Sequence, residues 1–279
     1  MPEGSVIAIG ALCLGYYLIA GLAINVAYHR GLSHRSLVLN KTLERVLVTL
    51  GLPAGSPIQW AGTHRQHHAH EDRRGDPHTP RRGFWHAHNG WYINRRHPLP
   101  CLLYALGGPL RILFDGVHRP RSNHQFDHLA PDVAADPYYR LVSRPGPYLA
   151  FAVLHVTVFF GVAWLLRGIA GVVALWAVLV AIFNLGDAID SVSHLVGGCP
   201  YRRPARARNG WFMGWFTLGD GWHANHHRFP WSARHGVLPG QPDWTDMIIR
   251  TLERLGLARD VRRVSRAEVE RALQEPAHG

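Results

Sequence analysis

Cysteine is scarce in this chain, with three among 279 residues. Cys13, Cys101 and Cys199 are scattered without zinc-type spacing, and two lie in or beside apolar stretches, so they read as reduced packing thiols. Lysine is nearly absent: Lys41 is the sole example, and the other basic residues are arginine. Acidic residues are also in the minority, 19 Asp and Glu against 30 Lys and Arg. A net charge of +11 in a soluble protein would suggest a nucleic-acid partner. Here the basic residues concentrate in the loop from Arg30 to Arg144, between stretches with no charge, so no nucleic acid is expected. The opening Met-Pro-Glu-Gly lacks the basic n-region of a signal peptide, so the first apolar stretch is expected to remain as an anchor.

Charge is missing altogether from three stretches, Ser5 to Tyr28, Pro145 to Leu166 and Gly168 to Gly186. Each has about the twenty residues needed to cross a hydrocarbon core. The sequence therefore predicts an all-α membrane protein with about three spanning helices, near residues 5–28, 146–166 and 169–189. The last two are joined by the short Arg167-Gly168 link. Arginine crowds the loop between the first and second stretches, which the positive-inside rule assigns to the cytoplasm. Residues 37–52 and 102–114 are apolar but short or interrupted, and read as interfacial helices. A cytosolic helical cap would then comprise residues 29–145 and 190–279, and the whole chain, 1–279, a single integral-membrane domain. Asp243 is placed to cap one helix of that cap, and Ser265 with Glu268 to form a capping box on another.

What the chain has in quantity is histidine, 20 residues. H-R-Q-H-H places His64, His67 and His68 at i, i+3 and i+4, which predicts one helix face and a common centre. W-H-A-N-H-H repeats the spacing with His223, His226 and His227. H-R-G-L-S-H adds His29 and His34, an i, i+5 pair. On a regular helix these lie about 140° apart, so they either serve different ions or straddle a helix that loosens at Gly31. His194 follows the last apolar stretch. Nine imidazoles at one membrane face can supply two metal ions with four or five ligands each, where a structural zinc site takes four and no more. Imidazole alone does not choose among iron, zinc and copper. Two adjoining sites at a bilayer surface suit a redox pair that binds dioxygen and attacks an unactivated C–H bond. Asp76 and Asp190, with Asp72 as a weaker candidate, are placed to accept the outer N–H of ligating imidazoles. His78 reads as a hydrogen-bonding neighbour of the site, and His155, alone in mid-helix, as bonded to a neighbouring helix.

Taken together, H-R-G-L-S-H, H-R-Q-H-H, D-P-H followed by R-R-G-F, and G-W-H-A-N-H-H-R-F-P resemble the stearoyl-CoA (Δ9) family of membrane fatty-acyl desaturases. The closing W-S-A-R-H-G is similar to its bacterial members. The resemblance covers roughly residues 23–264. It implies a di-iron centre, two Fe ions per chain, held by His29, His34, His64, His67, His68, His194, His223, His226 and His227. It further implies a bent acyl tunnel and the use of O2 and two external electrons to leave a cis double bond. No further catalytic side chain is expected beyond the metal centre. With no haem-binding H-P-G-G segment, electrons would come from a separate donor of ferredoxin, rubredoxin or cytochrome b5 type. The substrate would be an acyl-CoA or acyl-lipid, and the setting a bacterial inner membrane with the site facing the cytoplasm. Tyr17 is a candidate tunnel floor, and Arg81 and Arg82 are candidates for a phosphate-bearing headgroup. Asp190 stands where the family usually has asparagine, and Asp220 where bacterial members usually carry glutamate. Only 28 residues precede His29, room for one spanning helix where the family normally has two. A di-iron alkyl-chain hydroxylase is the alternative with the same ligands, and a zinc-dependent membrane protein the alternative from another class.

Overall fold

The structure, a computed structural model, describes residues 3–118, 123–201 and 206–275. Helices dominate it. Helix α1 (Glu3–Leu22) is built from apolar residues with no interior charge, and it runs straight into an eleven-residue π-helix, Ala23–Ser33. The i+5 hydrogen bond from His34 N to His29 O, 3.1 Å, belongs to that wider coil. Asn40 caps α2 (Lys41–Gly51) by accepting from the backbone N–H of Thr42 and Leu43. Helix α3 (Pro57–His70) starts with proline at its first position, where no N–H is needed. Two further helices, α4 (Pro98–Ala105) and α5 (Pro109–His118), precede the longest element, α6 (Pro145–Asp190).

Helix α6 is two limbs. Arg167 (φ −146°, ψ 18°) and Gly168 (φ 54°, ψ −140°) leave helical geometry, and the positive φ of Gly168 is one that glycine adopts without penalty. A Cβ placed on Gly171 would stand 2.1 Å from the carbonyl oxygen of Ala163. Eight residues of straight helix would separate these positions by about 12 Å, so the chain folds back on itself. Two helical stretches, Gly4–Ser33 and Pro145–His194, are long and apolar enough to cross a membrane. Only 11% and 17% of their most apolar windows are buried, which separates them from the core helices of a soluble protein. Ile7, Leu165 and Ile169 are among their outward-facing side chains.

One core sits among these apolar helices, where Tyr16, Ile112, Ala163, Leu175 and Leu179 meet. A second lies around the π-helix and α3, with Tyr28, Val48, Ile58 and Ile249. The C-terminal part folds over the histidines through α7 (Trp211–Phe216), α8 (His223–Arg228), α9 (Trp244–Arg254) and α10 (Arg266–Gln274). A two-residue antiparallel pairing, β1 (Val38–Leu39) with β2 (Ala258–Arg259), ties that part to the segment after the π-helix. Asp243 caps α9, accepting from Asp246 N at 2.9 Å, and Ser265 with Glu268 forms the capping box of α10, as their spacing predicts.

Candidate metal centre

Four segments bring histidine to one place: the π-helix, α3, α8 and the short turn Val192–His194 after α6. His29, His34, His64 and His226 have ring nitrogens within 4.8 Å of one another, and so do His67, His194, His223 and His227. In the first group the Nε2–Nε2 distances are 3.1 Å for His29–His226 and 2.8 Å for His34–His64. His68 joins it, with its Nε2 2.9 Å from that of His226. In the second group His67–His227 is 3.2 Å, His194–His223 3.0 Å and His223–His227 3.0 Å. The nine histidines singled out in the sequence thus converge as five and four.

The local geometry explains the grouping. His29 and His34 share a group because the π-helix brings residues five apart onto one side, where a regular helix would splay them. Each H-x-x-H-H helix, by contrast, does not serve a common centre as its spacing suggested. Positions i+3 and i+4 differ by about 100° around a helix, so their imidazoles diverge. In α3, His64 and His68 turn to the first group and His67 to the second. In α8 the assignment is reversed, with His226 in the first group and His223 and His227 in the second.

These nitrogens fit metal ions. Two imidazole nitrogens on one ion at about 2.1 Å stand roughly 3 to 3.4 Å apart, close to the spacings here. The outer nitrogens strengthen the case. His67 Nδ1 meets Asp76 Oδ1 at 3.0 Å, and His227 Nδ1 faces Glu71 Oε2 at 3.1 Å. His194 Nδ1 meets Asp72 Oδ2 at 3.2 Å and His29 Nδ1 meets Asp220 Oδ2 at 2.8 Å. A carboxylate there keeps the proton on Nδ1, so Nε2 presents a lone pair. His67 and His227 then aim two lone pairs at each other, an arrangement that a cation between them resolves. Burial, reinforced by neighbouring imidazoles, pushes His67, His223, His226 and His227 well below the ordinary histidine range, which leaves them neutral as ligation requires.

Beside the histidines opens a cavity lined by His29, His64, Trp91 and Asp190 at one end and by Tyr16, Tyr17 and Leu179 at the other. Tyr17 precedes His29 by twelve residues, along the end of α1 and the first part of the π-helix. Such a shape takes an extended apolar chain with one part held against the nitrogens. The family comparison agrees with that reading: residues 5–239 match the fatty acid desaturase family. The chain belongs to that family. The sn-1 stearoyl-lipid 9-desaturase of Anabaena variabilis is 32% identical over 91% of this chain and 84% of its own length. The acyl-CoA C20 Delta5-desaturase of Anemone leveillei is 34% identical, over 90% and 73%. Delta-9 acyl-lipid desaturase 1 of Arabidopsis thaliana is 34% identical, over 90% and 74%. This desaturase is accordingly an oxidoreductase. The relatives differ in acyl carrier and in bond position, so neither follows from likeness alone.

The desaturase distributes the remaining candidates unevenly. Asp76 contacts His67, whereas Asp190 lies along the cavity with Oδ1 3.8 Å from His78 Nδ1. The His78 ring packs tilted against His67, 4.1 Å between ring centroids, and lines the same cavity. Tyr17 also lines it, and its hydroxyl donates to the carbonyl of Phe216. Arg81 and Arg82 are exposed and do not. His155 accepts or donates a 2.6 Å hydrogen bond with the Tyr16 hydroxyl, away from both groups.

Sequence reasoning missed Glu71 and the network around Asp220. The only signal for Glu71 is its place directly after the H-R-Q-H-H helix. Asp220 also receives buried Arg30, Nη2 to Oδ1 3.1 Å, and lies 3.2 Å from His235 Nδ1. Burial opposes ionisation of Asp220. Electrostatic interaction with His29 and Arg30, together with the His235 and His29 hydrogen bonds, outweighs it and holds the carboxyl well below the usual range. His235 is pushed down to about 4, by burial first and then by Arg30. Trp60 stacks on His64 at 5.1 Å, a contact no motif announces.

Proposed function

We propose that this desaturase introduces a cis double bond, of Δ9 type, into a saturated acyl chain. Its ligands are the nine histidines, five for one iron and four for the other. Two iron ions there would supply an oxidant made from dioxygen and two external electrons, able to break unactivated C–H bonds. The substrate gives up two hydrogens, and with two further protons and the two electrons the dioxygen leaves as two waters. The protein's own part is placement. Asp72, Asp76, Asp220 and Glu71 orient imidazoles, the cavity fixes which methylenes lie beside them, and its apolar walls exclude water. The observation that carries this reading is the pair of facing Nε2 groups at the end of a long cavity.

The reversal at Arg167-Gly168 supports three membrane crossings, with the histidine groups on the cytoplasmic side and the cap folded around them as a single desaturase domain. In a bacterial inner membrane, a separate electron donor would dock from that side, and the acyl chain would arrive on coenzyme A or as a lipid. Expression in a host lacking desaturases, with an electron donor and fatty-acid profiling, tests the function. New monounsaturated chains with the bond at carbon nine are expected. An unchanged profile from iron-loaded protein would refute it, and a product that gains oxygen would reassign the enzyme as a hydroxylase. Metal analysis should find two ions per chain, and one ion would refute the dinuclear site.

A further inference from the structure

Between Arg208 and Asp220 the chain carries no charge, and residues 209–219 read N-G-W-F-M-G-W-F-T-L-G. An apolar run of that length is too short to cross a bilayer; it is either a core helix or a segment that dips into the membrane surface. The structure excludes the first. Helix α7, inside this run, turns Trp211 (65% exposed), Phe212 (59%), Trp215 and Phe216 outward. Their rings pair along its surface, Trp211 with Trp215 at 5.5 Å and Phe212 with Phe216 at 4.6 Å. Trp215 also meets Trp244 at 5.4 Å, which joins α7 to α9. On α9, Met247, Ile248 and Leu255 are exposed in turn, and exposed Arg254 falls on the face of Met247 two turns later. Single exposed apolar side chains are ordinary, whereas a connected set of this kind marks an interaction surface.

The place of α7 against α1 says what covers it. The Tyr17 hydroxyl donates to the Phe216 carbonyl, and Asn25 Nδ2 donates to the Thr217 carbonyl at 2.8 Å. Between them, a Cβ added at Gly21 would stand 2.7 Å from Leu218 Cδ1. Tyr17, Gly21 and Asn25 succeed one another at intervals of four, one side of the helix. Exposed apolar side chains on α1 run from Val6 to Ile19, and the π-helix that follows is buried except at Ile24. The lipid-facing part of α1 therefore ends near Leu22, and the end of α7 sits at that level, where hydrocarbon gives way to headgroups. Tryptophan, and arginine reaching outward, are the residues such a boundary favours.

Resting on the membrane crossings proposed above, we infer that α7 and the exposed face of α9 form a monotopic anchor set into the cytoplasmic leaflet beside α1. Helix α7 lies at the boundary of headgroups and acyl chains, and α9 in the headgroup plane with Arg254 toward lipid phosphate. The cap is then not wholly cytosolic. Because Phe216, Thr217 and Leu218 also line the cavity, this segment has lipid on its outer side and the acyl site on its inner side.

The test is the accessibility of nitroxide labels on full-length, metal-loaded protein, one chain per nanodisc of phosphatidylcholine and phosphatidylglycerol. Labels go on Phe212→Cys, on Val173→Cys in the second limb of α6 and on Arg266→Cys in α10, each combined with Cys13→Ala, Cys101→Ala and Cys199→Ala. The ratio of collisions with oxygen to collisions with a hydrated nickel chelate should be at least about tenfold higher at Phe212→Cys than at Arg266→Cys, because the polar chelate loses more than that factor on leaving water. Val173→Cys, at a position 60% exposed, reports the crossings separately. If it is oxygen-rich while Phe212→Cys matches Arg266→Cys, the anchor is overturned and the crossings stand. The reverse pattern sinks the crossings and leaves the anchor. Shielding of Phe212→Cys from both reagents only when a disc holds two chains assigns the face to contact between copies and also overturns the anchor. Should the cysteine-free background fail to fold, the native tryptophans read the same surface. Lipid brominated near the headgroup should quench the parent more than Trp211→Phe/Trp215→Phe, the difference approaching the share of emission that two of ten tryptophans supply. Equal fractional quenching of the two proteins overturns the anchor.

Discussion

Asp72→Asn isolates the electrical part of an outer carboxylate. Asp72 is 3% exposed and sits at φ 54°, a left-handed conformation that asparagine also adopts readily. It accepts from His194 Nδ1 at 3.2 Å and from the Thr79 hydroxyl at 3.2 Å. An asparagine carbonyl can still accept from His194, and its amide can donate to Thr79, so shape and hydrogen bonding survive. Only the negative charge behind His194 is lost. Replacing such a partner lowers metal affinity about 10–100-fold, roughly 1.4–2.7 kcal/mol. The loss falls on the group of His67, His194, His223 and His227, since His29 in the other group keeps Asp220. Titration with a graded chelator, counting metal per chain, reads it directly. The variant should hold fewer than two ions at chelator levels where the parent protein holds two. Identical release curves would show that the charge of Asp72 does not reach the metal.

Three further outcomes are expected. His194→Ala should stay membrane-inserted with reduced metal and no detectable desaturation, while His155→Ala, which loses a hydrogen bond to Tyr16 and a ring contact with Phe159 away from the histidine groups, should keep its metal and much of its activity; the same metal and product assays on both decide it. Tyr17→Ala should shift preference towards longer chains by deepening the cavity, and an unchanged chain-length profile in an active variant removes Tyr17 from the site. In metal-free protein, His67, His223, His226 and His227 have folded pKa values lowered by burial. The unfolded chain therefore takes up protons first as pH falls below about 6.5, each such group costs up to roughly 1.4 kcal/mol per pH unit, and the melting temperature should drop on acidification. A melting temperature that is flat between pH 7 and 5 would count against neutral, buried imidazoles.

The candidate histidines were legible because histidine is conspicuous and its spacing is local. H-x-x-H-H states which residues lie on a helix, and the charge-free stretches mark the two candidate spans and the break at Arg167-Gly168. The partition between two groups was not legible. It depends on how α3 and α8 face each other, and His67 and His227 stand 160 residues apart. The i, i+5 spacing of His29 and His34 left two outcomes open, and the π-helix decides between them. Asp220, Arg30 and His235 come from distant segments, so no window of sequence contains their network.

The reciprocal division of α3 and α8 has a consequence for loading. Each helix contributes imidazoles to both groups, so on the proposed two-iron reading the first ion to arrive would fix the rotation of both helices about their own axes. The second ion then finds its nitrogens already aligned and bears less of the ordering entropy. Stepwise uptake should be cooperative, with chains carrying a single ion scarce during metallation and a population made mostly of empty and filled molecules. In a mass spectrum of intact protein at half-saturating iron, the centre would behave as one unit with two occupants.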